Sequence, residues 1–319
     1  MPARDDTLAP MIVVLAGGVG AARFLRGLVR VVPPEEVTII GNTGDDIDIY
    51  GVHVSPDLDI VTYTLCGVND AERGWGLADD SARMLEELRA CGVDAWFHLG
   101  DLDYGVCLAR TMWMKDGIPL SEATRRICER FGMRARLLPM TDDPVETRIG
   151  LANGDDIHFQ EYWVRRRAAD PVASVRLHGA AAATPGPGVL EAIASADAIL
   201  IAPSNPVVSI GTILQIPGIR EALRSSPARV AGVSPIVGGA PVRGMADKLM
   251  PAAGAEVTAA GAARLLVGVL DAFVIDNVDA DLAPAIGELG IECSVTQTMM
   301  HTIEDSAALA KAALDAAAR

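Results

Sequence analysis

Residues 11–24 read MIVVLAGGVGAARF, an apolar run that ends in a glycine loop. Met11 to Ala16 has the length and unbroken apolarity of a buried strand, and Ala21 to Val32 reads as a helix stopped by Pro33 and Pro34. The loop between them therefore opens a helix. Backbone N–H groups at such a start point away from the helix, and the dipole adds about half a positive charge there. Gly17, Gly18 and Gly20 let the backbone bend sharply and let a phosphate approach with no Cβ in the way. Taken alone, the loop also fits a plain turn joining strand to helix. It is not the dinucleotide fingerprint, because Arg23 stands where the third glycine belongs, and it lacks the GKS/T of a P-loop.

Moving outward, strands alternate with helical patterns. This is the mark of a mostly parallel, Rossmann-like α/β sheet with helices on both faces. Val37 to Gly41 is the second strand. Ser81 to Ala90 and residues 121–131 read as helices, Ala95 to Leu99 as a short strand, Val189 to Ala194 as a helix and Ala198 to Ile201 as a strand. From 134 to 178 the pattern changes to short pieces, RARLLP, ETRIG, DDIHFQEYWV and ASVRL, with a turn at Asn153-Gly154. This reads as an inserted, partly antiparallel lobe, with the Ala/Pro/Gly stretch from Gly179 to Gly188 as a hinge back into the core. The expected organisation is a core of residues 11–133 and 179–319, a lobe of 134–178, and a flexible tail of 1–10.

The chain has 319 residues, half of them hydrophobic, and a net charge of −15. That is enough for a large core, and the negative balance argues against nucleic acid or an anionic membrane as partner. An anionic ligand must then be held locally, by glycine amides, arginines or a metal. Cys66, Cys91, Cys107, Cys128 and Cys293 are scattered with no CxxC pair, which indicates neither a zinc site nor a disulfide framework. No run of 18 apolar residues occurs, and the expected location is the cytoplasm.

Carboxylates gather after the second strand. GNTGDDID brings Asp45, Asp46 and Asp48 to its end, and in open α/β sheets ligands bind beyond the carboxyl ends of strands. Asp57 and Asp59, in SPDLD, are two apart and would point the same way in an extended segment. Mg²⁺ is commonly held by one or two carboxylates together with substrate phosphates, so the set suits a phosphate-bridging metal. Helix caps and solvated turns are the other use of such aspartates, and Glu72, Asp79 and Asp80 read as surface charges. ILIAPSNPVVSIGTIL supplies a second strand–turn–helix junction, in which Ser204, Asn205, Pro206 and Ser209 are candidate nucleotide contacts. VAGVSPIVGGAPVRGMADKL repeats that chemistry with Ser234.

AGGVGAARF, NTGDD, SPDLD, Arg73-Gly74-Trp75-Gly76, LGDLD, LLPMTDDPVETRI, IHFQEYWVRRR, APSNPVVSIG and VSPIVGGAPVRGMADKLMP together resemble the 2-phospho-L-lactate transferase family, whose actinobacterial members are phosphoenolpyruvate transferases of coenzyme F-420 biosynthesis. The likeness runs from Met11 to about Lys311. It implies transfer of a phosphorylated hydroxy- or enol-acid from a guanosine-diphospho donor to 7,8-didemethyl-8-hydroxy-5-deazariboflavin, with release of GMP. By matching positions it implies that Gly17, Gly18, Gly20, Ser204, Asn205, Pro206 and Ser209 hold the guanosine diphosphate. Asp45 becomes the leading metal ligand, with Asp59 and Asp57 next, and Mg²⁺ the expected cofactor. Asp59 and His98 match deazaflavin-binding positions, and a base among Asp45, Asp46 and Asp59 is left open. Leu102 stands where relatives carry the Arg of LGDRD. His158, Tyr162 and Trp163 are candidates either for the wall of the flavin-like ring or for lobe core, and a homodimer is the expected assembly. Two other readings compete. A nucleotide-sugar-binding regulator of the gluconeogenesis-factor group would carry Gly-Gly-Ser-Ser where this chain has Ile47-Asp48-Ile49-Tyr50. A nicotinamide dehydrogenase would carry the third glycine.

Overall fold

The structure, a computed structural model, describes residues 11–318; the expected tail of residues 1–10 lies outside them. Fourteen strands are described: β1 Ile12–Ala16, β2 Val37–Gly41, β3 Ile47–Ile49, β4 Val52–Val54, β5 Arg136–Pro139, β6 Glu146–Leu151, β7 Asp156–His158, β8 Val172–His178, β9 Ala198–Ile201, β10 Val230–Val233, β11 Ile236–Val237, β12 Ala240–Pro241, β13 Ala272–Asp276 and β14 Glu292–Thr296. Seven of these form one parallel sheet in the order β14-β13-β10-β9-β1-β2-β5. Counted from β1, the chain steps outward through β2 to β5, then returns to the other side of β1 and steps outward again through β9. That reversal is the Rossmann arrangement, and it opens a crevice at the carboxyl ends of β1 and β9.

The sheet is apolar on both faces because both are covered. Val13 and Leu15 of β1 face a core shared with Ile199, Ile201, Ile210 and Phe273. Ile12 and Val14 face another, formed with Phe24, Leu25 and Leu28 of helix α1 (Gly18–Val31) and with Leu309 and Ala313 of the terminal helix Ile303–Ala317. Each such side chain taken from water contributes about 1.5–3 kcal/mol before ordering costs. Four further helices matter for the site: α2 Pro56–Leu65, α3 Arg83–Ala90, α4 Asp101–Lys115 and α5 Leu120–Phe131.

Three expectations are corrected. RARLLP is β5, the edge strand of the main sheet paired with β2, so the antiparallel unit consists of β6, β7 and β8 alone, in the order β7-β6-β8. Glu161–Arg165 is a turn of π-helix rather than a strand. Ala95–Leu99 is not a strand, because the Phe97 N–H donates to the Tyr50 hydroxyl at 2.7 Å and its carbonyl accepts from the same hydroxyl at 3.2 Å. A tyrosine thus takes the place of a neighbouring strand there.

Candidate active site

A cleft of about 630 Å³ lies where the sheet reverses. Its floor is the glycine loop at the start of α1, and the turn after β9 and Ser234 after β10 form one side. The other side consists of Asp45, the start of α2, the 97–103 segment and the lobe residues Gln160 and Trp163.

The glycine loop is shaped by close approach. Gly17 caps α1 in an extended conformation, and its N–H donates to Ser204 Oγ at 3.2 Å, tying the turn after β9 to the loop. A Cβ on Gly17 would stand 2.6 Å from Asp57 Oδ2, and one on Gly20 would stand 2.5 Å from the Pro203 carbonyl oxygen. Gly18 has φ +74°, where a side chain is strained. With α1 14 residues long, its first amides carry the partial positive charge that suits a phosphate. The helix after Ser209 is only Ile210–Ile213, too short to add a comparable dipole. Asn205 Oδ1 accepts from the Val207 N–H at 2.9 Å and the Val208 N–H at 3.3 Å, so this side chain shapes its own turn at the cleft edge. Ser234 Oγ donates to the Ile236 carbonyl at 2.8 Å in a similar local turn.

The carboxylates divide by partner. Asn42, fully buried at the end of β2, donates to Asp57 Oδ2 at 2.9 Å and the Val208 carbonyl at 3.2 Å, and accepts from Thr212 at 2.8 Å. It locks α2 to the turn after β9. Burial pushes the Asp57 carboxyl up to about 6, against the opposing hydrogen bond from Asn42. Asp45 is 4 % exposed and lines the cleft, and its Oδ1 is buried without a partner. Burial, with Asp57 beside it, holds Asp45 well above the usual carboxylate range. Asp46 accepts from Ser55 Oγ at 2.7 Å and meets His53 Nε2 at 3.2 Å, and it does not line the cleft.

The expectation that Asp57 and Asp59 share a side of an extended segment is corrected: both lie in the first turn of α2 and diverge. Asp59 turns back to form a buried ion pair with both terminal nitrogens of Arg110 on α4. Beside it Asp103 accepts from Tyr63 Oη at 2.7 Å, and burial, reinforced by Asp59, raises Asp103 to about 7. Asp59, Asp103 and Cys107 come within 4.8 Å of one another, but both Asp59 oxygens are committed to the guanidinium.

Other expected residues separate in the same way. His98 lines the cleft, edge-on to Trp75 with ring centroids 5.3 Å apart. Arg73 donates to His98 Nε2 at 3.0 Å, and burial together with Arg73 and Arg89 lowers the imidazole below its ordinary value. His98 is therefore a neutral, fixed ring. Trp163 faces the cleft and is 40 % exposed, whereas Tyr162 is core of the lobe and His158 bonds the Asp46 carbonyl at 3.0 Å. Pro206 does not line the cleft. Asp80 is not a mere surface charge: its oxygens accept from the Leu102 and Asp103 N–H groups and cap α4. Asn42, Gln160 and Arg110 escaped the sequence reading. Asn42 had a signal, being the polar residue ending a buried strand; Arg110 had none, since only the fold shows that it is buried.

The 2-phospho-L-lactate transferase CofD family model matches residues 12–289. A phosphoenolpyruvate transferase of Streptomyces coelicolor is 51 % identical over 308 residues, covering 95 % of this chain and 97 % of that protein. That of Streptomyces griseus is 50 % identical over 311 residues, covering 96 % and 98 %, and that of Mycolicibacterium smegmatis is 44 % identical over 326, covering 96 % and 98 %. Among solved structures, a upf0052-family protein from Bacillus halodurans superposes with a TM-score of 0.66 at 17 % identity, over 97 % of this chain and 99 % of that one. This last likeness concerns the α/β fold alone.

Proposed function

This chain belongs to the 2-phospho-L-lactate transferase CofD family, the transferases of coenzyme F-420 biosynthesis, and from that premise we propose that it transfers phosphoenolpyruvate from a guanosine-diphospho donor to 7,8-didemethyl-8-hydroxy-5-deazariboflavin, releasing GMP. The enol acid is preferred over phospholactate because the relatives at about half identity bear that name. The observation that carries the reading is the meeting, in one cleft, of the amides opening α1 with the buried carboxylate of Asp45, one oxygen of which has no hydrogen-bond partner.

In this reading the diphosphate lies over Gly17 to Gly20, and the nucleoside extends toward Ser204, Asn205 and Ser209. A Mg²⁺ fits Asp45 and Asp57, because two adjoining buried carboxylates need a positive charge to remain ionised together. When bound, it would neutralise the phosphates between which the bond breaks. Asp59 fits less well, since Arg110 already holds it. The ribityl terminal hydroxyl attacks the acid-linked phosphorus, the bond to the GMP oxygen breaks, and the hydroxyl proton passes to a carboxylate. Of the three candidate bases, Asp45 lines the cleft, whereas Asp46 does not line it and bonds Ser55 and His53, and Asp59 is held by Arg110. The protein's remaining task is alignment and exclusion of water.

Mass spectrometry of product and nucleotide after incubation with deazaflavin and each guanosine-diphospho donor tests this. The expected outcome is dehydro-product and GMP in equal amounts from the phosphoenolpyruvate donor, and slower turnover with the phospholactate donor. Absence of product from every donor, or product without GMP, overturns the reading.

A further inference from the structure

Arg23, the residue that breaks the dinucleotide fingerprint, has no part in the scheme above. It lies on the face of α1 that also carries Val19 and Arg26, and this face walls a side pocket of about 280 Å³. Thr64, Asn69 and His301 also line the pocket, and none of its nine lining residues is acidic. It opens beside the main cleft, with Val19, Arg23, Met300 and His301 belonging to both walls.

The charges are unspent. In a chain with 42 acidic residues, neither Arg23 nor Arg26 makes an ion pair among the described residues, and Arg26 Nε is buried without any partner. Arg243 stands nearby at the cleft wall, its Nη2 donating to the Arg73 carbonyl at 2.7 Å. Burial and the repulsion of Arg23 together draw Arg243 below its ordinary value. Guanidinium groups brought together without a counter-ion cost stability unless an anion joins them. Along α1, Arg23 stands about one helical turn, roughly 5 Å, past Gly20, and Arg26 about one turn further. An anionic group covalently joined to a phosphate over the glycine loop reaches the pocket.

We propose that the Arg23–Arg26 pocket receives the carboxylate of the phosphorylated acid carried by the donor, and so selects donors whose phosphate bears a carboxylic acid. The proposal rests on the donor class assigned under the proposed function. A guanidinium's paired donors match a planar carboxylate in bidentate fashion, which a neutral group of the same shape cannot exploit. The site thus rejects the amide, because the amide nitrogen brings its own hydrogens against arginine donors.

Two stable probes separate the possibilities: GDP esterified at its terminal phosphate with lactate, and the same ester carrying lactamide. Dissociation constants are measured by calorimetry for these and for GDP, on the wild type and on Arg23→Gln, Arg26→Gln and Arg26→Lys. The wild type is expected to bind the lactate ester at least about tenfold more tightly than the lactamide ester. Both glutamine variants should lose most of that preference while keeping their GDP affinity, and Arg26→Lys should keep part of it. GDP binding reports the fold of each variant, and a variant that fails it is replaced by the other arginine's. An equal affinity of the wild type for the two esters, or a preference untouched in both glutamine variants, overturns the proposal and leaves the donor class standing. If GDP itself fails to bind the wild type, the donor class falls and the proposal with it.

Discussion

Asp45 sets two demands against each other: it is 4 % exposed, and its Oδ1 finds no donor. A buried ionised carboxylate with an unpartnered oxygen is costly, so it must either take a proton or sit against a cation. Asp45→Asn keeps the volume and removes the charge. We expect that change to lower kcat by at least about 100-fold, the scale seen when one charge-stabilising group leaves an active site. The melting temperature of metal-free protein should stay the same or rise, since a strained charge has gone. Direct Mn²⁺ binding, followed by electron paramagnetic resonance, should weaken in the same variant, and chelator should abolish wild-type turnover. Asp79→Asn is the control: Asp79 is exposed with φ +55°, a conformation asparagine adopts readily. Near-normal turnover and Mn²⁺ affinity in Asp45→Asn would make the carboxylate structural. Asp142 and Asp143, in the turn after β5, offer no replacement: they bond Ser121 and Thr184 and do not line the cleft.

At the scale of elements, α1 does two jobs, presenting the glycine loop at its start and packing along the terminal helix over the rest of its length. At Gly27 the two helices touch closely: a Cβ there would stand 2.2 Å from the Ser306 carbonyl carbon, which is backbone. Alanine in a helix interior normally gains about 0.5–1 kcal/mol over glycine, whereas overpacking a core costs about 1–3 kcal/mol. The clash should win. Gly27→Ala is expected to lower the urea midpoint and to reduce GDP affinity through a shift of α1, with no residue of the cleft changed. A midpoint equal to or above wild type would show that the helices separate freely. The same elements show what was legible in the chain. β2 and β9 were readable to the residue because each is a short, β-branched apolar run bounded by turn residues. RARLLP has the same pattern, yet nothing local tells an edge strand of the main sheet from a strand of the lobe; pairing with β2 decides it. Asp57 and Asp59 were misread for a local reason, since Ser55-Pro56 followed by acids is a helix start, with proline at its first position. The 95–99 segment alternates like a strand, and only the Tyr50 hydroxyl, distant in sequence, takes up its backbone groups.

At the scale of the whole molecule, the cleft exists because three separated parts of the chain meet over the reversal of the sheet. The glycine loop and the turn after β9 come from the core. His98 and Asp103 come from the segment around α4, and Gln160 and Trp163 from the lobe. The lobe is held down by Val208 and Met245, which join Ile149, Ile157 and Tyr162 in one apolar cluster, so it is seated on the core beside the nucleotide turn. That seating sorts the adjacent aromatics: Tyr162 is spent on the cluster, and Trp163 is left facing the cleft. An indole there can lie against a flat, apolar ring, which is the part of a deazaflavin that the polar floor of the cleft does not serve. Aromatic contact of this kind contributes about 0.5–1.5 kcal/mol beyond burial, so Trp163→Ala should weaken deazaflavin binding about two- to tenfold. Quenching of deazaflavin fluorescence in the bound state should fall with it, since this placement stacks the ring on the indole. GDP affinity should hold, since the nucleotide turn and the glycine loop are untouched. Unchanged quenching and affinity in a folded Trp163→Ala protein would mean that the lobe does not wall the acceptor, and would turn the search for its ring to Trp75 and His98, which also line the cleft.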